Sequence, residues 1–294
     1  MAHSATLPIL LKQLNLSTMT GLWEDYLAQA TLKGWNPAQY LAALCEEEVN
    51  QRYSRRVAGF FKESKLPVGK TLSSFDFSQL PDLDANKISL LATDPGWVKR
   101  SENILFFGPS GTGKTHLAAA ISNGLIEQGV RVRYYPATSL VQELQRARND
   151  LQIETLLGKL DRYAVLILDE IGYVRKSEVE THVLFELIAH RYETGSMIIT
   201  ANHPFSKWDQ IFPDSIMTVA AIDRLVHHAT IIEIQGEKAK SFRKKQAMGQ
   251  NLVMSVQERT SGTNPLQQKS SPPTSLCEGP FSESSSASAH LAGS

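Results

Sequence analysis

The chain has 294 residues and a formal net charge of zero, with 30 basic and 30 acidic side chains. That length allows one large domain and an accessory one, and the neutral balance excludes a globally basic polymer binder, leaving local patches for any nucleic-acid contact. The two cysteines, Cys45 and Cys277, are far apart and exclude a disulfide framework or a cysteine metal knuckle. They suit a reducing compartment. The start lacks a signal-peptide design and no apolar run approaches bilayer-spanning length, so the expectation is a soluble, cytoplasmic protein with no membrane contact.

Residues 1–70 carry helical signals and no strand signal. Leu7, Leu10, Leu11, Leu14, Met19, Leu22, Trp23 and Leu27 predict two short helices broken near Asn15-Leu16-Ser17. Asn36 is a candidate N-cap with Pro37 at the first helical position, opening a helix whose apolar face is expected to be Tyr40, Leu41, Leu44 and Val49. Beyond Glu46-Glu47-Glu48 the polar side turns basic, and Arg52, Arg55, Arg56 and Lys62 can share much of one helical surface near Tyr53, Phe60 and Phe61. A phosphate-backbone contact surface accounts for this pattern. So does a solvated face that keeps a helical arm soluble.

Irregular sequence follows, with Pro67, Gly69, Pro81 and Asp94-Pro95-Gly96, a Phe75-Asp76-Phe77 motif and a helix-compatible patch at Ile88–Leu91. It reads as the entry to a nucleotide domain and a possible contributor to a base pocket. The strand-like run Asn103–Phe107 then feeds Gly108-Pro109-Ser110-Gly111-Thr112-Gly113-Lys114-Thr115-His116, after which Leu117, Ala120, Ile121 and Leu125 recur at helical spacing. This is a phosphate loop in its proper strand–turn–helix context. Glycines let the backbone turn tightly around an anion at a helix N-terminus. Lys114 reaches the β- and γ-phosphates of a nucleoside triphosphate, and the Thr115 hydroxyl is placed for Mg²⁺. The predicted binding run is Gly108–His116.

Next comes βαβ rhythm. Gly129 ends the first helix, and Val130, Val132 and Tyr134 alternate along a second strand. Ser139–Arg148 is a predicted helix opened by a Ser139-x-x-Gln142 box, followed by a short one at Glu154–Leu160. The run Val165-Leu166-Ile167-Leu168 is apolar throughout, as a central parallel strand must be, and ends in Asp169-Glu170. Asp169 joins Thr115 in holding Mg²⁺, and Glu170 can polarise a water for in-line attack on the γ-phosphate. A helix with Val179, Val183, Leu184, Leu187 and Ile188 on one face leads to the strand Met197–Thr200. Asn202 at its tip is positioned to hold the attacking water or touch the γ-phosphate. Trp208, Ile211 and Phe212 pack a connection, Ser215–His228 is helical, and Thr230–Ile234 is the fifth strand. His227-His228 reads as surface or packing, because neighbouring helical residues diverge and no carboxylate or cysteine cluster is evident in the sequence around them.

With these motifs in order, the chain resembles the IstB-like ATP-binding proteins, helpers of transposition in a bacterial insertion-sequence family and kin of the DnaC helicase loaders and DnaA initiators of the AAA+ class. The restrictive segments are Ile167–Tyr173, Ala221-Ile222-Asp223-Arg224-Leu225 and Lys240-Ser241-Phe242-Arg243. The resemblance implies a three-layer α/β/α P-loop fold with a five-stranded parallel sheet, an N-terminal all-helical domain and no full C-terminal lid. It divides the chain into a DNA-binding and oligomerisation domain at 1–70, an AAA+ ATPase domain at 71–248 and a tail at 249–294. The family is assembled head to tail with ATP between subunits, so Arg224 matches the finger that completes a neighbour's site, and Arg243 matches the second sensor arginine. Ser139–Leu160 corresponds to a DNA-facing helical insert, with Arg146, Arg148 and Lys159 available for contact. The implied partners are duplex DNA, a cognate transposase and further copies of the chain. Where a lid would follow, only the basic segment Lys238, Lys240, Arg243, Lys244 and Lys245 remains.

Residues 251–294 have no counterpart in that family. Eleven of the 44 are serine and Pro272-Pro273 interrupts any helix, so the stretch cannot bury enough to offset its ordering entropy and reads as disordered. A DnaC-like helicase loader is the alternative within the class. A small-molecule kinase would need an acceptor pocket and an arginine-rich lid, neither of which is visible. A nucleotide-independent DNA-bending protein would have no use for the full set of Lys114, Thr115, Asp169 and Glu170.

Overall fold

The computed structural model describes residues 2–172, 177–210 and 212–234. Tyr173, Ile211, the basic run at 238–245 with Arg243, and the tail at 249–294 lie outside the described residues.

Strands β1 (Asn103–Phe107), β2 (Val132–Pro136), β3 (Val165–Ile171), β4 (Ser196–Ala201) and β5 (Ala229–Glu233) form one sheet in the order β2-β3-β4-β1-β5. Every pairing is parallel. All five strands lie within a few residues of their predicted positions. Side chains alternate across a strand, so each central strand supplies both faces. Leu105, Phe107, Leu166, Leu168, Met197 and Ile199 pack beneath α7 (Ala137–Asn149), α8 (Ile153–Leu160), α9 (Glu178–Arg191) and α10 (Ser215–Val226). Ile104, Phe106, Val165, Ile167 and Ile198 pack on the other side with α4 (Ala85–Thr93), α5 (Gly96–Lys99) and α6 (Lys114–Glu127). This is the expected three-layer α/β/α arrangement. Truncating one such residue, as in Leu166→Ala, costs about 2–5 kcal/mol through lost burial and the cavity left behind.

Some local expectations fail. The helix predicted from Ser139 begins at Ala137 directly after β2, with Pro136 as its N-cap and no side-chain cap, so the Ser139–Gln142 box does not form. Val179 is exposed, while Thr181 and Phe185 are buried on α9. That helix opens instead with a capping box between Ser177 and Glu180.

The N-terminal arm consists of α1 (Ala2–Gln13), α2 (Ser17–Lys33) and α3 (Pro37–Ser64). The break between α1 and α2 and the Asn36 cap fall where the sequence places them, the cap closing as a reciprocal box with Gln39. A small separate core of Leu11, Met19 and Leu44 draws in Leu7, Leu16, Leu22, Trp23 and Tyr40. Leu41 and Val49 are exposed, contrary to expectation. The stripe facing α2 runs Tyr40, Leu44, Glu48 at spacings of four, so a carboxylate, not Val49, continues it. The far half of α3 reaches the sheet. Val57 and Phe60 pack on the second core, and the Tyr53 hydroxyl donates to the Glu127 carbonyl at 2.6 Å. Glu63 accepts two hydrogen bonds from Arg131 on the β2 side, at 2.8 and 2.6 Å, and one from Tyr163 at 2.9 Å. Arm and sheet belong to one compact unit.

Candidate functional site

In open parallel sheets the carboxyl ends of the strands frame the ligand crevice. Here β1 delivers the phosphate loop there and β3 delivers Asp169 and Glu170. Gly108, Gly111 and Gly113 take φ of 148°, 81° and 95°, backbone that an L side chain rarely adopts. Gly113 is constrained twice, because a Cβ there would lie 2.7 Å from the Phe75 ring. Helix α6 starts at Lys114 with Gly113 as its N-cap and no side-chain cap on its first amides. Its N-terminal amides and dipole are therefore directed at the loop's concavity, as anion binding requires.

Lys114 is buried, and its Nζ donates to the Gly108 and Pro109 carbonyls at 2.7 and 2.8 Å. The Thr112 hydroxyl closes the loop on the Pro109 carbonyl at 2.9 Å. Gly108, Pro109 and Thr112 thus build the loop's frame. Ser110, Gly111, Gly113, Lys114, Thr115 and His116 line a cavity of about 390 Å³ together with Glu170 and Asn202.

Asp169 is the hub beside that cavity. The Thr115 hydroxyl donates to its two oxygens at 2.8 and 3.1 Å. The Tyr134 hydroxyl donates to Oδ2 at 2.7 Å and the Thr200 hydroxyl to Oδ1 at 2.6 Å. Burial, then the bond to Asp169, pushes the Tyr134 phenol above its ordinary range, so it stays a donor. Thr115 and Asp169 are already in contact and present only oxygen donors, which suits Mg²⁺, a hard ion that keeps several waters. Glu170, next along, has φ of 60°. The β3–β4 register shifts between Leu168 and Ile171, turning this residue out of the ladder at the cavity wall.

The segment before α4 forms the opposite wall. Lys70, Ser74, Phe75, Asp76 and Gln79 line the same cavity. His116 holds this wall in place: its Nε2 lies 2.9 Å from the Thr71 carbonyl and 3.1 Å from Ser74 Oγ, and its ring meets Phe75 edge-on. Burial lowers its pKa, favouring neutral imidazole. The Phe75 motif marked this region in the sequence. The roles of Ser74, Gln79, Tyr134 and Thr200 left no local signal.

A family described as IstB-like ATP binding protein matches residues 9–249. The chain belongs to that family. An insertion sequence ATP-binding protein of Sinorhizobium fredii is 48% identical over 244 residues, 83% of this chain and 81% of the relative. The insertion sequence IS21 ATP-binding protein of Pseudomonas aeruginosa is 36% identical over 82% of this chain and 91% of its own length. Among solved structures, the DnaC helicase loader is similar over 57% of this chain and 98% of its own, with 21% identity and a TM-score of 0.49.

Among the described residues, the others singled out in the sequence do not line the phosphate-loop cavity. Arg224 is exposed on α10, donates to the Ala220 carbonyl at 3.1 Å and borders surface clefts separate from the phosphate cavity. Arg52 pairs with Glu48 at 2.8 Å and reaches the Asn15 carbonyl at 2.5 Å. Arg55 binds the Ser17 and Thr18 hydroxyls. Arg56 stacks over the Tyr53 ring, and Lys62 is exposed. Arg146, Arg148 and Lys159 are exposed on α7 and α8, with Arg148 3.5 Å from Glu186. His227 is the C-cap of α10 with helical dihedrals, and its ring centroid lies 4.1 Å from that of His228. Glu193 joins them, with the three exposed groups' ligand atoms within 4.8 Å of one another. That carboxylate stands 34 residues before His227 and left no local signal beside the histidines. Among the described residues, no helix is long and apolar enough to cross a membrane.

Proposed function

We propose that this protein is an ATP-dependent, DNA-binding AAA+ ATPase of the cytoplasm that helps a transposase select target DNA, assembling on duplex DNA when ATP is bound. The observation that carries the reading is the cavity joining Lys114 and Thr115 of the phosphate loop to Glu170 and Asn202. Membership of an ATP-binding family supports it. The insertion sequence relatives favour a transposition helper over a helicase loader.

On this reading the loop and the α6 N-terminus hold the triphosphate, and Lys114 offsets charge on its β- and γ-phosphates. Thr115 and Asp169 hold Mg²⁺, which when bound neutralises phosphate charge. Glu170 accepts the proton of the attacking water, and Asn202 orients that water. Phe75 and its neighbours form the base side of the pocket. Arg224 acts on the cavity of a neighbouring copy, with Arg243 as a second sensor. The arm at 1–70 and the exposed Arg56, Lys62, Arg146 and Arg148 contact DNA phosphates, with Arg52 and Arg55 shaping that surface.

The test is ATP hydrolysis by the purified protein with and without duplex DNA and Mg²⁺, beside Arg224→Ala. The expected result is DNA-stimulated turnover in the wild type, with Arg224→Ala retaining nucleotide binding while losing the stimulation. Full stimulation in that variant removes the trans role of Arg224. A wild-type protein indifferent to ATP, Mg²⁺ and duplex overturns the whole reading.

A further inference from the structure

Thr200 lies at the carboxyl end of β4, fully buried, 30 residues beyond Glu170 and outside the phosphate loop and the acidic pair. Its hydroxyl makes two bonds. It donates to Asp169 Oδ1 at 2.6 Å and accepts the Glu170 backbone N–H at 2.8 Å. One hydroxyl has one proton, so with the proton on Asp169 a lone pair is left for Glu170. The two roles are therefore complementary.

The Glu170 amide needs such a partner. Its residue has φ of 60° and sits where the β3–β4 register shifts, so the ladder offers it no ordinary place. Left-handed backbone at a non-glycine residue costs on the order of 1–3 kcal/mol and persists only where the surroundings over-determine it. A part-buried amide without an acceptor would add to that cost. Thr200 supplies the acceptor and, through the same atom, fixes one oxygen of Asp169 while Tyr134 fixes the other.

We propose that Thr200 is the positioning residue of this site: its hydroxyl locks the Glu170 backbone into the turn that presents the carboxylate to the cavity, and sets the orientation of the metal-holding Asp169. The inference rests on the proposed ATPase reading for its catalytic consequence, but its geometric part does not. A purely structural threonine would owe its place to the methyl group. A positioning threonine owes it to the oxygen. Thr200→Ser and Thr200→Ala both remove the methyl and differ only in that oxygen, which isolates the hydroxyl even where Thr200→Val folds poorly.

Three measurements decide it. Hydrogen exchange of the 166–172 segment, on protein without nucleotide, should be at least about tenfold faster at the Glu170 amide in Thr200→Ala than in Thr200→Ser. Mn²⁺ titration followed by electron paramagnetic resonance, with a non-hydrolysable ATP analogue, should show several-fold weaker binding in the Ala variant only. Turnover should fall about tenfold or more in the Ala variant and recover in the Ser variant. Equal exchange in the two variants overturns the locking role, and equal Mn²⁺ affinity overturns the orienting role. A wild type without hydrolysis but with the exchange difference would sink the ATPase reading and leave the Thr200 geometry standing.

Discussion

The phosphate-loop end of the sheet and the N-terminal arm use the same kinds of residue to opposite ends. Around Asp169, three hydroxyls converge on a buried carboxylate, and its partner Thr115 and neighbour Glu170 line an open cavity together with buried Lys114. In the arm, buried Glu48 accepts the Thr18 and Met19 amides at 2.8 and 3.0 Å and the Arg52 guanidinium. It caps α2 from a distance, and no cavity adjoins it among the described pockets. Buried charge is costly wherever it occurs. At the sheet it is held beside the phosphate loop, whereas in the arm it is consumed in joining α2 to α3. A carboxylate's burial alone therefore says little about chemistry; whether its hydrogen-bond partners and chain neighbours line a cavity is decisive.

The strongest way to break this contrast is Lys114→Ala. Removing the charge at the loop should weaken ATP binding by about 100-fold or more, measured by titration with a fluorescent ATP analogue. The melting of the arm should not move. Glu170→Gln should lower turnover by about 100-fold while retaining nucleotide binding, because general-base loss affects only the chemical step. Steady-state hydrolysis and equilibrium binding on the same protein separate the two.

Glu48→Ala is the mirror experiment in the arm. It leaves two amides and Arg52 without their acceptor and should destabilise the arm by about 2 kcal/mol, read as faster proteolysis or hydrogen exchange across α1 and α2, with ATP affinity unchanged. The same carboxylate predicts a pH dependence. Burial works to raise the Glu48 pKa, but the Met19 amide, Arg52 and the Thr18 amide together hold it below the ordinary 4.5. Arg131 does the same for Glu63, against burial. A depressed folded-state pKa contributes stability that is full above the unfolded value and lost as pH falls through the folded one. The arm should thus loosen below about pH 4.5, and Glu48→Gln should flatten that acid limb in a far-ultraviolet circular dichroism titration.

The smallest effect sharpens the contrast within the arm itself. Arg55 is tied to Ser17 and Thr18, whereas Arg56 is bound mainly to a tyrosine face. Arg56→Ala should cost only a few-fold in duplex affinity and reduce the salt slope by about one phosphate contact, with no change in melting. Arg55→Ala should loosen α2 as well.

Much of this was legible before any coordinates. Gly108, Gly111 and Gly113 announce their turn because few other residues reach those dihedrals, and Val165–Leu168 announces a central strand because both its faces must be apolar. The break at Asn15–Ser17 and the Asn36-Pro37 opening rest on equally local chemistry. Local signals mislead where they compete with packing. Ser139 and Gln142 have the right spacing for a box, yet α7 springs directly from β2 at Ala137. Val49 has the right period on α3, yet the facing helix meets Glu48.

The α/β alternation, the phosphate loop, the acidic strand end and the order of the elements can all be read from the residues alone, because each follows from dihedral limits or from periodicity over a few residues. Packing alone settles which hydroxyls reach Asp169, that Phe75 covers Gly113, and that Arg52 and Arg55, though exposed, are tied to the α1–α2 turn and the start of α2. Those contacts join residues 31 to 54 positions apart, where no short-range rule relates one side chain to another. Their partners are chosen by how the layers stack.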